Sequence, residues 1–126
     1  TNSTGQGAQL IGEGSSSVAA NNLSLFATGL APSKPGLYFQ GNNRVVNGAG
    51  VHFGDGLRCA GGGVIRLQIR TSSATGESET TAPIATLGMV QPGDVKRYQL
   101  WYRDPDASPC GSGFNLTNGY ELTWEV

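Results

Sequence analysis

The sequence predicts an all-β protein, an antiparallel two-sheet β-sandwich of jelly-roll or immunoglobulin-like type, with seven to eight strands and one disulfide. Three observations carry this expectation. Short apolar segments alternate with polar residues at a period of two. Glycine fills 20 of the 126 positions, and it gathers with Asn, Ser, Pro and Asp between those segments, as turns require. No stretch carries the apolar spacing of an amphipathic helix. The length suits one core, so residues 1–126 are read as a single module.

The elements follow in order. Thr1 to Gly14 is small and polar around the apolar pair Leu10 and Ile11, which reads as an edge strand after a loose lead. Asn21 and Asn22 make a turn into a strand from Leu23 to Ala27, in which Leu23 and Leu25 share one face. Gly29, Pro32, Pro35 and Gly36 form a stiff connection to the aromatic strand Leu37-Tyr38-Phe39-Gln40. Tyr38 and Phe39 point to opposite sides, so one is expected in the core and the other at least partly exposed. Gln40 to Gly63 reads as successive tight glycine turns around Val45 and Val46. Val64 to Arg70 alternates cleanly, placing Ile65, Leu67 and Ile69 inward and Arg66, Gln68 and Arg70 in water. Thr71 to Ala82 is a polar, hairpin-like excursion around Gly76, with Glu77 and Glu79 outward. Gln91-Pro92-Gly93-Asp94 is a turn feeding a central strand from Val95 to Arg103. There Tyr98, Leu100 and Tyr102 face inward, and Arg97, Gln99, Trp101 and Arg103 face the other way. Asn118-Gly119 is a further turn signal. The terminal strand Tyr120 to Val126 alternates again, with Trp124 in the core beside Leu122 and Val126.

Net charge is −1, and six Arg and two Lys are scattered along the chain, which argues against a nucleic-acid partner. No apolar run approaches the roughly 18 residues of a membrane span, and no signal peptide is visible, so the expectation is a soluble chain, already processed if secreted. Cys59 and Cys110 lie 51 positions apart in glycine-rich surroundings without further clustered ligands. That leaves zinc short of donors and favours a disulfide over two free buried thiols. Closing such a loop is worth about 3 to 5 kcal/mol on the chain-entropy model, and an oxidising, extracellular or cell-surface setting follows.

Catalytic chemistry finds little support. His52, the one histidine, sits between Val51 and Phe53 with no nucleophile or carboxylate marked beside it, and no two of the nine acids stand out as a pair. Asp104, Asp106 and Asn115 offer oxygen ligands for calcium but lack the EF-hand pattern, so no metal and no cofactor is expected. Gly61-Gly62-Gly63 enters a strand, not the helix that a phosphate cradle needs. Asn2, Asn22 and Asn115 head Asn-x-Ser/Thr triplets, which accept glycans only in a eukaryotic secretory host.

The remaining signal is a surface. Trp101 lies on the polar side of its strand with Arg97, Gln99 and Arg103. An indole beside amides and guanidinium groups is suited to stacking on a sugar ring while its neighbours bond the hydroxyls. Tyr38 joins these four as a candidate contact. The competing reading is packing, with Trp101 covered by the 104–115 loop or turned to an inner face.

The chain also resembles a glycine-rich β-sandwich module that recurs in large secreted or surface proteins of environmental bacteria. The resemblance rests on Phe53-Gly54-Asp55-Gly56-Leu57-Arg58-Cys59-Ala60-Gly61-Gly62, Gln99-Leu100-Trp101-Tyr102-Arg103-Asp104 and Gly113-Phe114-Asn115-Leu116-Thr117-Asn118-Gly119. Shorter matches lie at Asn2-Ser3-Thr4-Gly5, Val18-Ala19-Ala20-Asn21, Leu23-Ser24-Leu25 and Gly29-Leu30-Ala31-Pro32. It implies architecture and placement, and no catalytic role. Together these readings lead to a noncatalytic accessory module of a secreted protein that binds a polysaccharide or another surface polymer. The alternative is a structural or assembly module that self-associates or contacts other domains through its edge strands. A small hydrolase ranks last.

Overall fold

The computed structural model describes residues 7–44, 51–53, 56–58, 60–61, 64–103 and 114–126. The described residues are all-β apart from one helical turn, and their longer strands form two antiparallel sheets that share a core. The smaller sheet has β1 (Gln9–Glu13), β2 (Ser24–Thr28) and β9 (Ser78–Glu79) in the order β1-β2-β9. In the larger sheet, β3 (Pro35–Gly41) lies between β8 (Ile65–Thr71) and β10 (Val95–Arg103), while β11 (Phe114–Leu116) and β12 (Tyr120–Thr123) both pair with the far edge of β10. Four short segments form two ribbons, β4 (Asn43–Arg44) with β7 (Ala60–Gly61) and β5 (Val51–Phe53) with β6 (Gly56–Arg58). The described residues thus contain more strands than the seven to eight expected, and the excess lies in the ribbons where the sequence reads as turns alone.

The shared core is built by the period-two faces. Leu10, Leu25 and Ala27 from the smaller sheet meet Tyr38, Leu67, Tyr98, Leu100 and Tyr102 from the larger, and Trp124 joins them. At the centre stand fully buried polar groups, each with a partner, as burial in a low dielectric demands. Trp124 Nε1 donates to Tyr98 Oη at 2.9 Å, Tyr98 Oη donates to Gln40 Oε1 at 2.8 Å, and Gln40 Nε2 donates to the Gly88 carbonyl at 3.1 Å. Gly88 closes α1 (Ile84–Leu87), a turn absent from the sequence reading, which buries Ile84 and Ala85 against the core. Asn21, at φ +48°, accepts from the Ala85 amide and donates to Thr86 Oγ1, so the expected asparagine turn also holds this helical turn.

β2 and β3 do not pair with each other; the stiff link between them crosses from one sheet to the other. The link runs beside the second crossover, from β8 to β9, and the two are laced by Leu30 N–H to Gly76 O and by Ser72 Oγ to Ala31 O. Gly76 lies at φ +79°, where an added β-carbon would collide with the Leu30 carbonyl, a place for glycine only. The same edge is closed further by Gln68, which accepts from the Thr81 and Ala82 amides, and by Arg70 Nε donating to Glu79 O. The 91–94 turn forms as expected, with Asp94 N–H on Gln91 O and Gly93 at φ +93°.

Two register shifts correct the sequence reading. Tyr38 pairs with Gln68, but Phe39 pairs with Arg66, so Leu67 is an extra residue in β8. Such a bulge reverses the facing of everything on one side of it. Ile65 and Leu67 turn toward the core as expected, whereas Ile69 pairs with Leu37 on the outer face and is 69% exposed. Arg70 and Gln68, expected in water, reach the rim between the sheets. The second shift is at Asn118-Gly119, which does not reverse the chain. β11 and β12 run in the same direction along β10, with Trp101 opposite Leu116 and Tyr98 opposite Tyr120. The two residues between on β10 face three, Thr117 to Gly119, so the Asn-Gly pair sits in a bulge. Thr117 fills the gap in the ladder, its hydroxyl accepting from the Leu100 amide at 3.0 Å.

Tyr38 and Phe39 do point to opposite sides, yet both are buried, Tyr38 in the main core and Phe39 in a second cluster with Leu116 and half-buried Trp101. Trp124 is core as expected; Val126 is exposed. Cys59, Cys110, Asp104, Asp106 and Asn2 lie outside the described residues, as do the side chains of His52 and Asn115.

Candidate binding face

The outer face of the larger sheet is set by the alternation of β10. Because Tyr98, Leu100 and Tyr102 are buried in the core, Arg97, Gln99, Trp101 and Arg103 face away from it. Register then assembles rows across the sheet. Ile69 pairs with Leu37, Leu37 with Trp101 and Trp101 with Leu116, giving one apolar row over four strands. The next row holds Arg66, Phe39 and Gln99.

Part of this face is covered. β7 runs beside β3 and β10, and β6 runs beside β11, the strands that carry Phe39, Gln99 and Leu116. The outward side chains of these three are buried. Gln99 Nε2 donates to the Thr117 carbonyl at 2.6 Å, stitching the bulge in place. Where that cover ends, a shallow groove of about 180 Å³ remains, lined by Pro35, Leu37, Ile69, Trp101 and Arg103. Its floor is chiefly apolar, with one guanidinium at the rim.

The five residues singled out from sequence therefore separate. Trp101 and Arg103 line the groove together. Arg97 is on the same face but acts as a strut: its Nε lies 3.1 Å from Glu121 Oε2, its Nη1 donates to the Asn42 carbonyl at 2.7 Å, and its side chain is only 16% exposed. Gln99 is fully buried, which takes it off the accessible surface. Tyr38 faces the opposite side of its strand, fully buried, with Oη 2.8 Å from Ser78 Oγ. Burial pushes the Tyr38 phenol above its ordinary pKa, partly offset by the Ser78 hydrogen bond. It is a core residue and no ligand contact.

Leu37 and Ile69 belong to the groove and were missed. Leu37 is legible in hindsight, being in phase with Phe39 and out of phase with Tyr38. Ile69 is not, because the bulge that turns it outward has no signature in Val64 to Arg70. Among the described residues no three of His, Cys, Asp and Glu gather where a metal ion could be held, and no helix is long and apolar enough to cross a membrane. Comparison of the chain with protein-family models, curated proteins and solved structures finds no match.

Proposed function

We propose that this protein is a noncatalytic accessory module of a secreted protein, and that it binds a polysaccharide through the groove around Trp101. The observation that carries the reading is the apolar row Ile69-Leu37-Trp101, left open beside Arg103 on the outer face of the larger sheet. An open, rigid platform of this kind suits the apolar face of a sugar ring, and a guanidinium at the rim suits its polar substituents. Strand positions hold the contact residues without ordering on binding, which limits the entropic cost of recognition. In this reading the frame is a β-sandwich further tied by a Cys59–Cys110 disulfide, which suits an extracellular setting and the glycine-rich module the sequence resembles.

Affinity electrophoresis or calorimetry against a panel of neutral and acidic polysaccharides tests the proposal. Trp101→Ala, with an unchanged near-ultraviolet spectrum from the buried aromatics, is expected to weaken binding roughly tenfold or more. No retention on any polymer, or retention indifferent to Trp101→Ala, overturns it. The alternative of assembly through edge strands has less support at β1, where the backbone of Leu10 is already engaged by a side chain of the same chain, Asn118.

A further inference from the structure

The fold sorts charge that looks scattered in the sequence. None of the eight Lys and Arg residues lies in the strands of the smaller sheet, which carry Glu13 and Glu79. The strands of the larger sheet carry Arg66, Arg70, Lys96, Arg97 and Arg103 against a single acid, Glu121. That acid is held by Arg97. Arg44 in β4 and Arg58 in β6 add to the ribbons beside the same sheet. On the outer face, Arg66 and Arg103 are both exposed, in the rows on either side of the apolar one, and neither meets an acid among the described residues.

We infer that the groove takes an acidic polysaccharide, one bearing uronic-acid carboxylates; this rests on the sugar-binding reading and narrows it. A uronate has an apolar ring face and a carboxylate at the ring edge. A sugar laid on Trp101, Leu37 and Ile69 carries that carboxylate toward the rim. Arg103 stands two residues from Trp101 on the same face, about 7 Å along the strand, within a side chain's reach. The planar guanidinium fork matches a carboxylate in a bidentate pair, and Arg66 on the opposite flank meets the next charge along a polymer. Among the described residues two exposed arginines flank the apolar row, fewer than the concentrated basic footprint that nucleic acid requires, so the repeating carboxylate of a sugar polymer is the better match.

The test measures binding of the full chain to polygalacturonate, to the same polymer after reduction of its carboxyl groups, to dextran sulfate and to a single-stranded DNA oligonucleotide. Polygalacturonate is expected to bind best, more weakly as salt rises. The double variant Arg66→Gln/Arg103→Gln, with melting temperature and near-ultraviolet spectrum retained, is expected to lose about tenfold in affinity for polygalacturonate. Its loss on the reduced polymer should be clearly smaller, and an equal loss on both polymers overturns the carboxylate assignment. Equal wild-type binding of the two polymers, or indifference to the double substitution, overturns the acidic assignment while leaving the sugar-binding reading intact. Tighter binding of dextran sulfate or DNA overturns it in favour of sulfate or phosphate chemistry. Failure to bind any of the four, joined to failure on the neutral panel, removes both readings at once.

Discussion

The side-chain amide of Asn118 lies against the backbone of Leu10, accepting from its N–H at 2.7 Å and donating to its carbonyl at 3.2 Å. Leu10 is in β1, at the edge of the smaller sheet, and Asn118 is in the bulge at the edge of the larger one. One amide thus supplies the donor and acceptor that a neighbouring strand would have supplied, and it fastens the two sheets at that side of the core. The bulge goes with this reach: Thr117 stays bonded to Leu100, while the extra residue between β11 and β12 frees Asn118 to turn toward β1.

Asn118→Ala removes both bonds and leaves the Leu10 groups to water or to no partner. Urea denaturation is expected to show a loss of about 1 to 3 kcal/mol, and hydrogen exchange at the Leu10 amide should accelerate. Asn118→Asp keeps the acceptor but sets a carboxylate oxygen against the Leu10 carbonyl, so it should be no better than alanine. An unchanged unfolding midpoint for both variants would show the clamp to be energetically silent.

The bulge in β8 makes an opposite pair of Leu67 and Ile69, which uninterrupted alternation would treat alike. Leu67 is 8% exposed and Ile69 is 69% exposed. Leu67→Ala should destabilise by about 2 to 4 kcal/mol, whereas Ile69→Ser should stay within about 0.5 kcal/mol. Equal costs in chemical denaturation would restore the regular register.

Gly88 has φ −80° and ψ −4°, a conformation open to any residue, so substitution there is limited by space alone. A β-carbon at Gly88 would collide with the side-chain amide of Gln40, which is fully buried and bonded to Tyr98 and to the Gly88 carbonyl. Gly88→Ala is expected to lower stability by about 1 to 3 kcal/mol through displacement of that amide. Gly93→Ala offers a contrasting case, with open space around it but φ +93°. A melting temperature for Gly88→Ala equal to that of wild type would mean that Gln40 can move without loss.

Burial raises the phenol pKa of both Tyr38 and Tyr98, more than their hydrogen bonds with Ser78 and Trp124 lower them. The sign follows from proton linkage. Above the ordinary phenol value the unfolded chain gives up these protons while the folded chain keeps them, so folding binds protons and stability falls as pH rises. Stability against urea should be unaffected by these two groups below about pH 10 and should decline above it. Tyrosinate absorbance should show Tyr38 and Tyr98 resisting ionisation until the chain unfolds. Tyr38→Phe and Tyr98→Phe should each remove part of the alkaline slope; a slope unchanged in both variants would assign it elsewhere.

Much of the architecture is legible in the chain because a period of two is a local property. The buried face of β10, the core position of Trp124 and the Gln91-Pro92-Gly93-Asp94 turn each follow from a few adjacent residues. The bipolar charge distribution is not legible, since it depends on which strands share a sheet. The candidate face is half visible: Trp101 and Arg103 follow from alternation, but Gln99 shares their phase and is buried, its amide bonded to the Thr117 carbonyl in the neighbouring bulge.

The longer strands, and the polarity of the two sides of an unbulged strand such as β10, were therefore written in neighbouring residues, which set how side chains alternate. Partnering, cover and the two bulges were settled only when the chain closed on itself. Ile69 faces out and Asn118 reaches across because hydrogen bonding between strands far apart in sequence chose a register that no single strand contains.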